Sequence, residues 1–448
     1  MSFLLPALLL AQTPVAIAPE ILQQQEVRAL PGRLDDFRVF NSNSPELVLS
    51  EGILLSTFPQ KGKQFPQAHL NYVLNGRFDL FSHHVTRINS QKGDLPLYLG
   101  VLLYNPGDRP VKVLVLQANS YLSASDAPFI DLPNQVESRG GRIYSGPGSR
   151  TASDVLRRQS QSGWSTSIVV PPRENAMLMN LEMPVSNSRT TWMRLYSSDK
   201  LYVASMAKFA PSRDYKPTLK EWQELLATGD LVRPRDRAPT PPDTAETPFL
   251  YGRVAGVSQG AEWQATVTDN GNSPTLTIPK PGQAFSYVIN TLDQGTLGTG
   301  QVQSAPMLAR YPDTAYRSHG NYGLKYNLSL PLQNKTNAPQ TVTLAIQTPI
   351  KEDHLSKQGL RFFAQPTGPA FFRGTVKVTY TNDQGQTKKR FLHLVQRRGQ
   401  RGEPLMNLTI PAGGQRPVSL EFLYPPDATP PQVLTVQTLP EARASSAP

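Results

Sequence analysis

Proline interrupts this chain too often for long helices to form. The 448 residues contain 42 prolines, and each removes a backbone donor and fixes φ, so helix interiors and central strands exclude it. Between the prolines run short stretches that alternate apolar and polar residues, ending in Gly, Asn or Asp. Such period-2 alternation with turn signals every 8–12 residues marks antiparallel β-structure with one buried face. The spacing predicts an all-β chain. Two short helices are expected as exceptions. Over Thr218–Ala227, Thr218 and Glu221 form a capping box, and Leu219, Trp222, Leu225 and Leu226 share a face. A weaker pattern covers Thr151–Gln161.

The helix near residue 218 runs into Arg233-Pro-Arg-Asp-Arg-Ala-Pro-Thr-Pro-Pro-Asp-Thr-Ala-Glu-Thr-Pro248. A segment this rich in proline favours an extended, semi-rigid conformation. It divides the chain into residues 19–216 and 249–439, joined by a helix and linker over 217–248. The halves repeat. Leu99, Val101 and Leu103 lead into Asn105 and Pro110, then Val113 and Val115. Leu328, Leu330 and Leu332 lead, 229 residues on and without a gap, into Asn334 and Pro339, then Val342 and Leu344. A later pair also matches, Ile168-Val-Val-Pro171 and Leu408-Thr-Ile-Pro411. The expectation is two tandem antiparallel β-sandwich domains of immunoglobulin-like type, each with a hairpin at its asparagine turn.

The apolar run Met1–Ala11 is too short to span a bilayer, which takes about 20 residues, but suits the apolar core of an export signal. Residues 1–18 are therefore expected to be a signal peptide, and 440–448 a disordered tail. The first cation is Arg28, so the usual positive start of a signal is missing. No later stretch has spanning length; Leu95–Tyr104 is strand-sized. An exported, extracytoplasmic protein without a transmembrane segment is the expectation. The chain has no cysteine, which excludes disulfides, thiolate metal sites, cysteine nucleophiles and a lipidated cysteine terminus.

Five stretches are distinctive: Glu26-Val-Arg-Ala-Leu-Pro-Gly-Arg-Leu34, Phe40-Asn-Ser-Asn-Ser-Pro-Glu46, Glu51-Gly-Ile-Leu-Leu-Ser-Thr-Phe58, Tyr311–Gly323 and Tyr424-Pro-Pro-Asp-Ala-Thr-Pro-Pro431. Together they resemble a family of cyanobacterial secreted proteins known only as a domain of unknown function (number 3370). The resemblance implies a cyanobacterial source and an exported or envelope location. It implies no activity, and it supplies no catalytic residues.

The motifs that carry chemistry are weak. Gly256-Val-Ser-Gln-Gly260 matches a nucleophile elbow, yet the following residues read as a strand and not as the helix that the elbow needs. Histidines 69, 83, 84, 319, 354 and 393 form no metal-ligand pair on a helix face. His83 and His84 are adjacent on a strand and so face opposite ways. No catalytic residue, metal site or cofactor is expected.

Two binding candidates remain. Tyr311, Asp313, Tyr316, Arg317, His319, Asn321 and Tyr322 mix rings with hydrogen-bonding groups, as sugar and peptide sites do. Arg77, Asp79 and His83 echo them in the first half. The alternative is a loop ordered by its own hydrogen bonds. The second candidate is charge. Residues 351–400 hold 10 Lys and Arg against 3 Asp and Glu, the larger part of the net +11. Lys388, Lys389, Arg390, Arg397, Arg398 and Arg401 lie on a turn and strand end. Readings of this cluster are a solvated tip that protects an edge, contact with anionic envelope polysaccharide, and nucleic acid, which export disfavours. The expected function is a non-catalytic envelope or extracellular module binding anionic polysaccharide. Alternatives are an assembly module that contacts another envelope protein, and a carbohydrate-active hydrolase with an interdomain site.

Overall fold

The computed structural model describes residues 19–87, 93–242, 244, 248–426 and 428–440. The expected signal segment 1–18 lies outside them, as do residues 441–448 of the expected tail. Among the described residues the chain is predominantly β, in several sheets, with two α-helices. Helix α1 spans Pro147–Leu156 and helix α2 spans Leu219–Thr228. In α2 the Thr218–Glu221 capping box forms as expected, and Trp222 and Leu226 are buried. Helix α1 begins earlier than the apolar pattern suggested, because Pro147 occupies the first turn, where its missing N–H costs nothing. Among the described residues no helix is long and apolar enough to cross a membrane.

One strand organises the first half. Ser188–Phe209 pairs over residues 188–197 with Leu74–Val85 and Val111–Leu122. Past a register break between Ser197 and Leu201 it pairs over 202–209 with Leu97–Tyr104. A single chain thus serves two sheets, and the core between them contains Leu99, Val101, Leu103, Val113, Leu195 and Val203. In the second half, one sheet contains Lys325–Gln333, Gln415–Leu423, Ala370–Thr381 and Thr387–Arg397. The other contains Ala284–Ile289, Gln432–Thr438, Gln340–Gln347 and Met406–Ile410. Alternate residues of both, such as Leu328, Leu330, Val342 and Leu344, meet in a second core.

The repeated asparagine turns are not hairpins. Leu97–Tyr104 pairs with Asn175–Met183, whereas Val111–Leu122 pairs with Ser167–Val170. The same holds for Lys325–Gln333 and Gln340–Gln347, which pair with Gln415–Leu423 and Met406–Ile410. Each asparagine therefore carries the chain from one sheet to the other as an arch. The alternation predicted the strands correctly. It could not distinguish an arch from a hairpin, because both join two amphipathic strands by a polar turn.

The halves also interlock. Near the amino terminus, Glu20–Gln24 pairs with Gly359–Phe363, Glu26–Arg28 with Ala284–Ile289, and Arg33–Leu34 with Glu262–Thr266. Arg38–Ser42 then lies between Leu74–Val85 and Ala255–Gln259, joining strands of both halves in one sheet. In the other direction, Gln135–Glu137 adds to Thr387–Arg397. Residues 20–34, assigned by sequence to the first half, thus build sheets of the second. Helix α1 packs at the junction, where Val155 and Leu156 meet Val39, Phe81, Trp192 and Leu423. The proline-rich segment is pinned too. Arg235 makes a two-pronged ion pair with Asp313, both contacts at 2.8 Å, and Ser44 donates to Asp236.

Candidate functional site

The segment Tyr311–Gly323 follows the strand Ala305–Arg310 and returns to the sheets at Lys325. Its side chains are engaged from within. Tyr311 is fully buried in the core of the first half. Its hydroxyl donates to the Ala68 carbonyl and accepts from the Ser56 N–H, both at 2.9 Å, and burial pushes its ionisation far up. Asp313 holds Arg235. Tyr316 lies 3.6 Å under the Arg310 guanidinium. Arg317 pairs with Asp293 at 3.2 Å. His319 bonds the Gly252 carbonyl and is held below its ordinary pKa by burial.

Asn321 takes a left-handed backbone (φ 45°). Its Oδ1 accepts from the Ala305 N–H and its Nδ2 donates to the Gln303 carbonyl, each at 3.0 Å. The Tyr322 hydroxyl donates to the Ala428 carbonyl. Gly323 then accepts the Trp192 indole N–H at 3.1 Å. Half-buried rings with occupied polar groups do not make an open stacking face. The segment is a strap between the two halves, in which Asp313, His319, Asn321 and Tyr322 bond to the surrounding chain.

Arg77, Asp79 and His83 lie on the strand Leu74–Val85, separated from the strap's own strands by Arg38–Ser42 and Ala255–Gln259. Asn41, on the intervening strand Arg38–Ser42, donates to Ser318 at 3.3 Å. Asp79 is buried between Arg77 (3.2 Å) and Arg194 (3.4 Å). Burial raises its pKa, and the two guanidinium groups act against that rise. His83 bonds Thr190 at 2.8 Å, while His84 bonds Ser42 at 3.1 Å and the Pro45 carbonyl at 2.9 Å. Burial pulls both histidines down to about 4, so they are neutral at neutral pH. Ser258 of the elbow-like motif is buried within the strand Ala255–Gln259, and a second strand follows. Among the described residues no three His, Asp or Glu side chains gather as metal ligands.

The basic residues divide between two places. Lys388 and Lys389 are exposed at the tip of the hairpin formed by Ala370–Thr381 and Thr387–Arg397. Arg390 is half-buried and pairs with Glu137 at 3.5 Å. Arg397 donates to the Gly368 carbonyl, Arg398 lies over the Phe363 ring at 5.8 Å, and Arg401 is exposed. Nine residue steps separate Lys388 from Arg397, about 30 Å at roughly 3.3 Å per residue. They form two basic ends, not one patch.

Sequence reasoning missed one buried cation, Arg189. On the strand Ser188–Phe209, Met193 and Leu195 face the first core, and Arg189 has the same parity. An arginine in the inward register of a strand was a legible signal, since charge is rarely buried unpaired.

No curated protein matches the chain. Among solved structures, Lac15 from a marine microbial metagenome is 12% identical over 82% of this chain and 53% of its own, with a TM-score of 0.11. The chain thus spans about half of that protein's length. The 11S allergen from Cocos nucifera is 10% identical over 80% of this chain and 82% of its own, with a TM-score of 0.11. Oxalate decarboxylase from Bacillus subtilis is 8% identical over 80% and 74%, with a TM-score of 0.10. Scores this low carry no argument about fold or chemistry. A family model described as a protein of unknown function, DUF3370, matches residues 25–438, and the chain belongs to that family.

Proposed function

We propose that the protein is a non-catalytic, exported module of the cell envelope or extracellular space that contacts anionic polysaccharide. The observation that carries this reading is the state of its outer cations. Lys388, Lys389, Arg398 and Arg401 are exposed, and among the described residues none has a carboxylate within ion-pair distance, whereas Arg77, Arg194, Arg235, Lys325 and Lys377 are all paired. Two unpaired basic ends about 30 Å apart suit an extended polyanion, which reaches both, better than a small anion. Support for a non-catalytic role comes from the internal engagement of Asp79, His83 and His84. Each pair of sheets is read as one immunoglobulin-like sandwich, on the strength of the two matching asparagine arches.

The test is retention of the full chain on an acidic polysaccharide matrix. Lys388→Gln with Lys389→Gln, and separately Arg398→Gln with Arg401→Gln, are expected to elute at lower salt, with both pairs together lower still. Unchanged elution of all three overturns the reading.

A second reading, an assembly module that binds another envelope protein, is favoured by one apolar face. Val169 is 58% exposed, Leu116 51% and Tyr196 43%. Register places Tyr196 opposite Leu114, and Val169 opposite Lys112 on the neighbouring strand. Contact through this face would persist at high salt.

A further inference from the structure

The two sheets of the first half part along one side. Ser167–Val170 is the edge of one sheet, and Asn175–Met183 is the edge of the other. Between them lies a cleft of about 610 Å³. Its apolar wall consists of Trp164, Ile168, Met177, Met179 and Leu181, and Arg189 lines its inner end. Ser120, Gln161, Ser165 and Asn180 also line it, and its volume is that of small-molecule sites. Methionines adapt their shape to varied apolar bodies.

Arg189 is only 7% exposed. Its Nη1 donates to Ser120 Oγ at 3.1 Å and its Nη2 to the Glu182 carbonyl at 2.5 Å. Its Nε has no hydrogen-bond partner among the described residues. Nor does any carboxylate there come within ion-pair distance. Asp126 and Glu182 act on the guanidinium from further away, and Asp126 already accepts the Leu122 N–H at 2.9 Å. Burial lowers the Arg189 pKa to about 10, so it stays charged at neutral pH. A buried charge without a counter-ion is strongly disfavoured. Lys216 adds a second cation to the lining, and Asp126 an anion.

We propose that this cleft binds a small amphipathic monocarboxylate. One carboxylate oxygen accepts from the Arg189 guanidinium, and the apolar body lies along Trp164 and the methionine wall. Ser120 and Glu182 accept only two of the guanidinium's N–H groups, and a carboxylate supplies the opposite charge that the rest lack. The site is independent of the basic hairpin, and neither proposal requires the other.

Calorimetric titration of the full chain tests this with decanoate and 2-naphthoate as probes, against decanol (no charge) and acetate (no apolar body). Both probes are expected to bind at least about tenfold more tightly than either control, a difference of about 1.4 kcal/mol. Arg189→Met keeps the stem and removes the charge, and is expected to weaken both probes about tenfold or more. Trp164→Ala leaves Arg189 in place and is expected to weaken them while retaining the melting temperature. Absence of binding by both probes, decanol binding as tightly as decanoate, or unchanged affinity in Arg189→Met would overturn the proposal. If Arg189→Met does not fold, unchanged affinity in Trp164→Ala overturns it instead.

Discussion

The side chains of Asn105 and Asn334 share three bonds in the two halves of the chain. Each Nδ2 donates to the carbonyl four residues on, Arg109 at 2.7 Å and Ala338 at 2.8 Å. Each also donates to the strand residue just before a distant proline, Val170 at 3.1 Å and Ile410 at 3.0 Å. Each Oδ1 accepts the N–H two residues on, from Gly107 and Thr336, at 2.9 Å. The amide thus closes its own turn and ties that turn to the neighbouring strand. Both asparagines are fully buried.

Replacing either amide strands several backbone groups at once. Asn105→Ala and Asn334→Ala are each expected to destabilise the protein, by about 1–3 kcal/mol for every buried group left unpaired. The two losses should be similar, because the bonds are. Urea unfolding of the single variants measures this, and a large loss at one site with none at the other would contradict the equivalence.

Tyr311 joins the strap of the second half to the core of the first. Tyr311→Phe keeps the ring and leaves the Ser56 N–H and the Ala68 carbonyl unsatisfied. A loss of about 1–3 kcal/mol per group is expected, with no change in polysaccharide retention. Weakened retention at unchanged stability would return the strap to the candidate site.

Gly323 takes φ +80°, and a Cβ there would lie 2.9 Å from the Phe81 ring and 3.0 Å from Trp192. Both backbone strain and overpacking oppose Gly323→Ala, each at roughly 1 kcal/mol or more. Because Trp192 belongs to the junction between the halves, the variant should become more sensitive to proteolysis. Resistance equal to wild type would mean that the junction tolerates a shift there.

His84 gives a pH signature. Its folded pKa is depressed to about 4 from an ordinary 6.5, mainly by burial. The stability that this neutral histidine contributes is fully present above pH 6.5. It is lost as pH falls towards 4, because the unfolded chain takes up a proton that the folded chain refuses. The loss is up to about 1.4 kcal/mol per pH unit. His84→Gln is less stable at pH 7, since the bonds to Ser42 and Pro45 change, but its stability should fall less steeply between pH 6.5 and 4. Parallel profiles for the variant and wild type would contradict this.

Much of the fold was legible because its signals are local. The alternation at Leu99–Leu103 and Leu328–Leu332 marked real strands, and Thr218 with Glu221 marked a real helix start. Pairing was not legible. Glu26–Arg28 joins Ala284–Ile289 across most of the chain, and nothing in either segment names its partner. The strap's surroundings were not legible for a related reason. Asp313, His319 and Tyr322 have the composition of a binding loop, but their partners Arg235, Gly252 and Ala428 are distant in sequence. Arg189 was legible from strand parity alone, whereas the cleft beside it depends on how two sheets separate.

In the proposed function unpaired outer cations hold an anionic polymer, and the salt dependence of retention tests this most directly. Elution of the full chain from an acidic polysaccharide matrix should weaken steeply as ionic strength rises and the Debye length falls from about 10 Å at 0.1 M to 3 Å at 1 M. The variant carrying Gln at 388, 389, 398 and 401 should lose both the retention and its salt dependence. Retention that persists at 1 M salt and survives the four substitutions would contradict the claim and favour the apolar face around Val169 and Tyr196.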